Sequence, residues 1–333
     1  MNIGILDQIP LPRGSSVDET FTHTIQLAKE AERLGYRRYW LAEHHNTNGL
    51  LSTSPEIMIP RLASATTSIK VGSGGVLLPQ YSPFKVAEDF KLLEALFPGR
   101  IELGVGRSPG GSERTRRALT NDAENNLEAF PQQVTDLYGF LRDELPRQHS
   151  FRTVKTSPRF AEAPPLSILA LSKPSAQVAA ANGLGLVFGH FISPDRWQET
   201  LTAYRDQFIP SSQQEEPSVT VCVFVVCAES SERAEELATT LDHWLLGVEK
   251  GNTKIPSLED VHRTEIKPED QEKIEQNRRR MVVGTAEEVK AELLKLSERY
   301  ATDDFLVITN IAGFEARIRS YQLLAEAFGL NDD

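Results

Sequence analysis

Hydrophobic runs alternate with amphipathic or polar stretches along the whole chain. Eight of these runs are apolar almost throughout and predict buried strands, at residues 2–6, 39–42, 69–78, 101–105, 166–170, 186–189, 219–228 and 305–309. Runs that are apolar at nearly every position, rather than at alternate ones, are typical of parallel strands covered on both faces. Eight strand–helix units predict a closed (β/α)8 TIM barrel, with an open doubly wound sheet as the alternative.

The stretches between these runs carry start and stop signals of helices. Ser16 with Glu19 three residues later forms a capping box, and Gly35 ends the predicted helix. Pro55 and Pro83 stand at the first turns of two further helices. The remaining helices are predicted at about residues 122–144, 174–182, 195–208, 231–248, 286–299 and 314–328.

One stretch departs from this alternation. Between Gly247 and Met281 the chain is polar, charged and interrupted by proline. Long irregular segments of this kind are often active-site lids, so we predict an inserted loop or lid at 247–281 in the seventh βα unit. A solvated linker without a function is the alternative. No linker divides the chain, and residues 1–333 are predicted to form a single domain.

Composition and charge disfavour several kinds of partner and site. The formal net charge of −11 over 333 residues disfavours a nucleic-acid partner, because phosphate backbones attract basic surfaces. Cys222 and Cys227 fall on opposite faces of one predicted strand, which disfavours both a disulfide and a zinc pair. No segment resembles a signal peptide or a membrane span, and we expect a cytoplasmic protein.

The histidines His44 and His45 follow the second predicted strand, at the barrel end where active sites lie. Adjacent residues on extended backbone point in opposite directions, so the pair is not expected to share a metal ion, and no metal site is predicted. His44 is our candidate for acid–base chemistry, and its pKa needs little shift to work near neutral pH. His190, after the sixth strand, is more often a buried core residue than a catalyst.

The third predicted strand contains Gly72, Gly74 and Gly75, although glycine is disfavoured inside strands. Missing side chains allow a large flat ligand to lie against the backbone, and a β-bulge or tight barrel corner is an equally good explanation. A cis peptide bond would be housed most easily at Gly74–Gly75.

Two segments are suited to binding an anion. Arg107 follows the fourth strand in a glycine-rich loop, where Pro109 and Ser112 break the dinucleotide and P-loop patterns. It either binds a phosphate or is a surface arginine in a turn. Ser172 and Ser175 lie at a helix N-terminus, a natural anion site, although helix capping also explains Ser172. Together with the glycine strand and His44, these segments predict a flavin mononucleotide (FMN) site.

The same segments resemble the bacterial luciferase-like flavin monooxygenases. The resemblance is carried by Glu43-His44-His45-Asn46 and by the blocks at residues 71–79 and 98–107. It implies a (β/α)8 barrel and a homodimer packed through the helices after strands two and three. It also implies that His44 is the active-site imidazole. Luciferase itself carries a reactive cysteine where this chain has Gly106, so light emission from a long aldehyde is not expected.

For the cofactor, the resemblance implies a Gly74–Gly75 peptide, commonly cis, lying against the isoalloxazine ring. It places Arg107, Ser172 and Ser175 around the FMN phosphate.

The predicted activity is that of an FMN-dependent monooxygenase that uses reduced FMN and O2 to oxidise a small organic substrate. Because no dinucleotide site is evident, a separate NAD(P)H:flavin reductase is expected to supply the reduced FMN. Two alternatives stay open: a deazaflavin-dependent hydride-transfer oxidoreductase, and a flavin-binding protein without turnover.

Overall fold

Parallel strands form one continuous sheet in the computed structural model, which describes residues 1–108, 110–123, 127–159 and 162–331. Among these residues there are nine strands, each buried along most of its length. They are β1 (Asn2–Asp7), β2 (Arg38–Leu41), β3 (Lys70–Leu77), β4 (Ile101–Gly106), β5 (Leu166–Ala170), β6 (Gly185–Gly189), β7 (Val219–Cys227), β8 (Met281–Gly284) and β9 (Asp304–Ile308).

Eight of these strands close into a barrel. The order β6-β5-β4-β3-β2-β1-β9-β7 returns on itself because β6 and β7 are also paired, with Leu186 opposite Val219. Every pairing is parallel, and the connections between successive strands contain helices, as parallel strands require. The predicted TIM barrel is therefore confirmed, and the open sheet is excluded.

The ninth strand was not predicted from the sequence. Met281–Gly284 pairs with the second half of β7, from Phe224 to Cys227, whereas the first half of β7 pairs with β6. The sequence pattern instead predicts Met281 as the end of the insertion. Four residues after a run of arginines are too short to produce a strand signal in the hydrophobic pattern.

Helices cover the outside of the barrel. Their bounds are α1 (Val17–Arg33), α2 (Pro55–Ala63), α3 (Pro83–Leu96), α4 (Glu113–Leu119), α5 (Phe130–Arg142), α6 (Lys173–Ala181), α7 (Trp197–Asp206), α8 (Ser231–Glu249), α9 (Leu258–Arg263), α10 (Pro268–Arg278), α11 (Ala286–Tyr300) and α12 (Phe314–Phe328). Ser16 and Glu19 form the predicted capping box of α1. The helix expected from residue 122 instead starts at Phe130, where Pro131 fits the first turn.

The segment 247–281 contains the short helices α9 and α10, which pack against α8. Its first part contacts the loop that carries the histidines: Oδ1 of Asn48 accepts from the backbone N–H of Thr253 at 2.8 Å. The indole of Trp244 donates to the Thr253 carbonyl at 2.9 Å. This part of the insertion is therefore built onto the barrel, and its action as a lid stays a prediction.

Apolar side chains pack in two layers, one between the strands and the helices and one inside the barrel. Cys227 belongs to the outer layer and Cys222 to the inner one; both are buried and free, as the spacing predicted. Among the described residues, no helix has the length and apolar character needed to cross a bilayer.

Candidate active site

A cavity of about 560 Å³ opens at the carboxyl ends of the barrel strands. Six of its lining residues are the predicted site residues: His44, Gly74, Gly75, Arg107, Ser172 and Ser175. The side chains of Leu6, Trp40, Val187, Cys222 and Leu306 form its apolar floor. The strand-end position that suggested these site residues is thus what brings them together.

His44 enters this cavity from the loop after β2. Its backbone N–H donates to the Ser52 carbonyl at 2.8 Å, and its Nε2 lies 3.0 Å from Nε2 of Gln8. Burial, with a smaller contribution from His45, lowers the pKa of His44 to about 4. The expectation of a pKa near neutrality is therefore wrong, and the imidazole is uncharged at pH 7.

His45 is bonded within its own loop, although it also lines the cavity. Its Nε2 lies 2.7 Å from the buried carboxylate of Glu43, which also accepts from the Tyr81 hydroxyl at 2.6 Å and from the Leu77 N–H at 2.8 Å. Burial, aided by Glu43, raises the pKa of the Tyr81 hydroxyl, which keeps it protonated as a donor. Glu43 thus ties the histidine loop to the end of β3.

The glycines of β3 form a wall without side chains. The Gly74–Gly75 peptide is cis, as the resemblance implies, and the pairing with β4 shifts register between Gly74 and Val76. A Cβ on Gly74 would come within 2.7 Å of Leu6, and one on Gly75 within 2.6 Å of the Gly104 carbonyl. The bulge is therefore present, and the same glycines also line the cavity.

The loops after β4 and β5, the two strands that follow β3 in the sheet, offer donors for an anion. Arg107 lines the cavity and donates through Nε to the Leu127 carbonyl at 3.1 Å, and its terminal nitrogens form no hydrogen bond within the described residues. Ser172 stands at the N-cap of α6 but its side chain makes no capping bond, so capping does not explain it. The buried Ser175 lies one turn further. This arrangement suits a phosphate group.

The residues present fit FMN. The backbone of Gly74 and Gly75 lines the cavity, and so do a guanidinium at the end of β4 and two hydroxyls at the N-terminus of α6. The volume is within the usual range of cofactor sites. Gly106 adds room, because a Cβ there would find its nearest neighbour, Leu169, at 3.8 Å. Pro109, which breaks the dinucleotide pattern, lies outside the described residues.

Sequence reasoning missed three polar residues of this site: Gln8, Glu43 as the loop anchor, and Asn310, whose Nδ2 donates to Gln8 at 2.6 Å. Gln8 follows β1 directly, so the strand-end rule would have found it. His190 does not line the cavity; its Nδ1 lies 2.6 Å from the Tyr300 hydroxyl in a buried cluster. The core interpretation of His190 is the correct one.

A family model described as luciferase-like monooxygenase matches residues 1–303. The chain belongs to the luciferase-like monooxygenase family. The expected family and the expected enzyme class, a flavin-dependent oxidoreductase, are thereby confirmed.

Relatives found by sequence similarity match this luciferase-like monooxygenase over nearly its whole length. Uncharacterized protein YceB of Bacillus subtilis (strain 168) is 49% identical over 98% of this chain and 99% of its own. A protein of Escherichia coli (strain K12) named luciferase-like monooxygenase is 36% identical over 96% and 94%. The N-acetyl-S-alkylcysteine monooxygenase of Bacillus subtilis is 34% identical over 98% of both chains.

Solved structures agree with the fold of this luciferase-like monooxygenase. Apo-MsnO8 superposes with a TM-score of 0.90 at 34% identity, over 99% of this chain and 98% of the other. The oxygenating constituent of 3,6-diketocamphane monooxygenase in complex with FMN has a TM-score of 0.75 at 20% identity, over 98% and 97%. An F420-dependent secondary alcohol dehydrogenase has a TM-score of 0.68 at 16% identity, over 98% of both chains. The last two show the fold alone.

Proposed function

We propose that this protein is an FMN-dependent monooxygenase that receives reduced FMN from a separate NAD(P)H:flavin reductase and uses O2 to oxidise a small organic substrate. The observation that carries the proposal is the pairing, in one cavity, of the Gly74–Gly75 wall with the anion donors Arg107, Ser172 and Ser175. The FMN complex of a structural neighbour and the monooxygenase names of several relatives support it.

Each part of the cavity has a physical task in this proposal. Arg107 and the two serines hold the phosphate, together with the backbone N–H groups at the start of α6. The peptide between Gly74 and Gly75 lets the ring lie flat against backbone. When bound, reduced FMN supplies the electrons that activate O2.

The other residues of the cavity exclude water from the site and place a proton close to the reacting groups. Leu6, Trp40 and Leu306 keep the floor apolar, which protects a reactive site from water and favours a substrate with an apolar part. His44, uncharged because it is buried, offers a hydrogen-bonding nitrogen at the cavity wall. We infer that it interacts with an oxygen atom of the reacting groups.

An anaerobic titration followed by mixing with O2 tests the proposal. We expect reduced FMN to bind at least about tenfold more tightly than the deazaflavin F420, which corresponds to roughly 1.4 kcal/mol. We further expect O2 to oxidise the bound reduced FMN, and N-acetyl-S-methylcysteine serves as a first substrate probe with isotopically labelled O2. A preference for the deazaflavin, or bound reduced FMN that is inert to O2, would contradict the proposal.

The variant His44→Ala separates an enzyme from a protein that only stores flavin. An enzyme should retain FMN binding and lose most of its rate of substrate oxidation, since positioned proton donors and acceptors contribute about a hundredfold or more. A storage protein should be unaffected in every respect.

We also propose a homodimer that packs through α2 and α3. Ile57 on α2 and Leu92 and Leu96 on α3 are 68%, 50% and 58% exposed, and the two helices that carry these large apolar side chains are in contact. A second copy of the chain would bury them. Residues 247–281 are proposed to act as a lid over the cavity, and the cytoplasmic location stays a prediction.

A further inference from the structure

Gln8 connects the imidazole of His44 to the end of a neighbouring strand. It follows β1 directly, its side chain is buried, and its Nε2 lies 3.0 Å from Nε2 of His44. On its other side, Oε1 of Gln8 accepts a hydrogen bond of 2.6 Å from Nδ2 of Asn310, which follows β9. The strands β1 and β9 are paired, which brings Gln8 close to Asn310. The side chains of Asn310, Gln8 and His44 form one hydrogen-bonded row.

The backbone that carries Gln8 is strained and anchored. Ile9 has a φ of 48°, a left-handed conformation that β-branched residues seldom adopt. Its N–H donates to Oδ1 of the buried Asp7 at 2.8 Å, and the same oxygen lies 2.7 Å from the Arg317 guanidinium. Such strain persists only where surrounding contacts enforce it, and it is concentrated at functional sites. The buried pair of Asp7 and Arg317 therefore holds Gln8 in place.

We propose that Gln8 is a positioning residue that fixes the tautomer of His44. An amide nitrogen can only donate, so Nε2 of His44 must accept, and the proton of the neutral ring then lies on Nδ1. No group among the described residues forms a hydrogen bond with Nδ1. The ring, which lines the cavity, thus keeps Nδ1–H as a free donor.

The orientation of the Gln8 amide depends on Asn310. If both amides were turned over, Oε1 of Gln8 would accept from His44, and the amide nitrogen of Asn310 would take the position that Oδ1 holds now. In the observed orientation Oδ1 of Asn310 has no donor within the described part of the chain. The two orientations place the proton of the neutral His44 ring on different nitrogens, so the tautomer of the ring reports which orientation the protein adopts.

A fixed Nδ1–H makes His44 a hydrogen-bond donor rather than a base. Because burial lowers its pKa to about 4, the ring stays neutral and keeps this donor through the neutral pH range. The group to which this donor bonds follows only from the proposed function. The tautomer does not depend on that function, because it rests on the contacts among the three side chains themselves.

Nitrogen-15 NMR of the protein alone, labelled in histidine, tests the inference, because it distinguishes protonated from unprotonated ring nitrogens. The signals of His44, one of 7 histidines, are identified by their loss in His44→Gln. At neutral pH we expect Nδ1 to be protonated and Nε2 to be unprotonated. A protonated Nε2 in the unsubstituted protein would overturn the proposal, and this result requires only the assignment variant His44→Gln to fold.

Gln8→Leu removes the amide at similar volume. We expect the Nε2–H form of His44 to become the major tautomer in this variant. Gln213→Leu is the matched control, because Gln213 makes two hydrogen bonds of 2.8 Å to the backbone of Leu166, away from the cavity. It should leave the His44 signals unchanged. Identical His44 signals in Gln8→Leu and the unsubstituted protein would also overturn the proposal. Neither NMR result depends on FMN binding. If the proposed function is wrong, the test of the tautomer is therefore unaffected.

Discussion

Two histidines of this chain, His44 and His190, are held neutral by burial. The pKa of each is lowered to about 4, in both cases mainly because the protonated ring would lose its hydration. A base whose pKa is lower in the folded state favours folding fully only above its unfolded pKa, near 6.5. This contribution is lost as the pH falls towards the folded value.

We therefore expect the free energy of unfolding to decrease between about pH 6.5 and pH 4, and His190→Gln to make the decrease shallower. Urea denaturation at several pH values in this window measures the effect. His262→Gln, which replaces an exposed histidine, is the control and should keep the original slope. An unchanged slope in His190→Gln would show that folding does not lower the pKa of this ring.

A second prediction at this scale concerns Arg107. Replacing it with alanine removes the guanidinium that lines the cavity, so FMN should bind about ten- to a hundredfold more weakly, in line with the strength of charge-assisted hydrogen bonds. Fluorescence titration of FMN measures this change. Arg114→Ala removes the same charge from an exposed position on α4 and should leave the affinity unchanged. Equal affinities for both variants would remove Arg107 from the phosphate site.

Single residues could be predicted from the sequence where their position in the barrel was decisive. His44, Arg107 and Ser172 each follow a predicted strand, and the barrel brings strand ends together. Asn310 also follows a predicted strand, but its contact with Gln8, distant in the sequence, is formed only in the folded chain. The pKa of His44 was also beyond reach, since it depends on burial that only the folded chain creates.

At the scale of elements, the glycines of β3 both permit close packing and line the cavity. They approach neighbouring atoms so closely that side chains would not fit, and they also leave the cavity wall bare. The sequence predicted this strand and the capping of α1 correctly, because both have local signals. It missed β8, whose position is set by the free edge of β7 rather than by its own four residues.

Two glycine substitutions on adjacent strands give a matched test. Gly75→Ala would place a Cβ 2.6 Å from the Gly104 carbonyl, so we expect a loss of about 1–3 kcal/mol in stability, as for overpacked cores. Gly106→Ala has its nearest contact at 3.8 Å and should change stability by less than about 0.5 kcal/mol. Thermal unfolding compares the two variants. Equal effects would contradict the packing described for β3.

At the scale of the whole molecule, the hydrophobic pattern predicted barrel closure, whereas the homodimer is implied only by the family resemblance. Eight buried strands with intervening helices lead to a closed barrel by general rules of packing. An association surface depends on which apolar side chains remain exposed after folding, and this cannot be read from periodicity. The position of the insertion was predicted as a break in the pattern, whereas its contact with Asn48 required the folded structure.

The exposed residues of α2 and α3 predict the oligomeric state. We expect the mass of a dimer in solution, and Ile57→Asp combined with Leu96→Asp should yield monomers, because charges would be buried in the interface. Size-exclusion chromatography with light scattering measures the mass. Ile209→Asp, at a residue 57% exposed elsewhere on the surface, is the control and should remain dimeric. A monomeric unsubstituted protein would refute the proposed dimer.

The central claim is that the cavity at the carboxyl ends of the strands is an FMN site, and a crystal structure of the protein with FMN tests it most directly. The account predicts the ring against the Gly74–Gly75 peptide, and the phosphate within hydrogen-bonding distance of Arg107, Ser172 and Ser175. FMN bound at another place, or a cavity without FMN at saturating concentration, would contradict it.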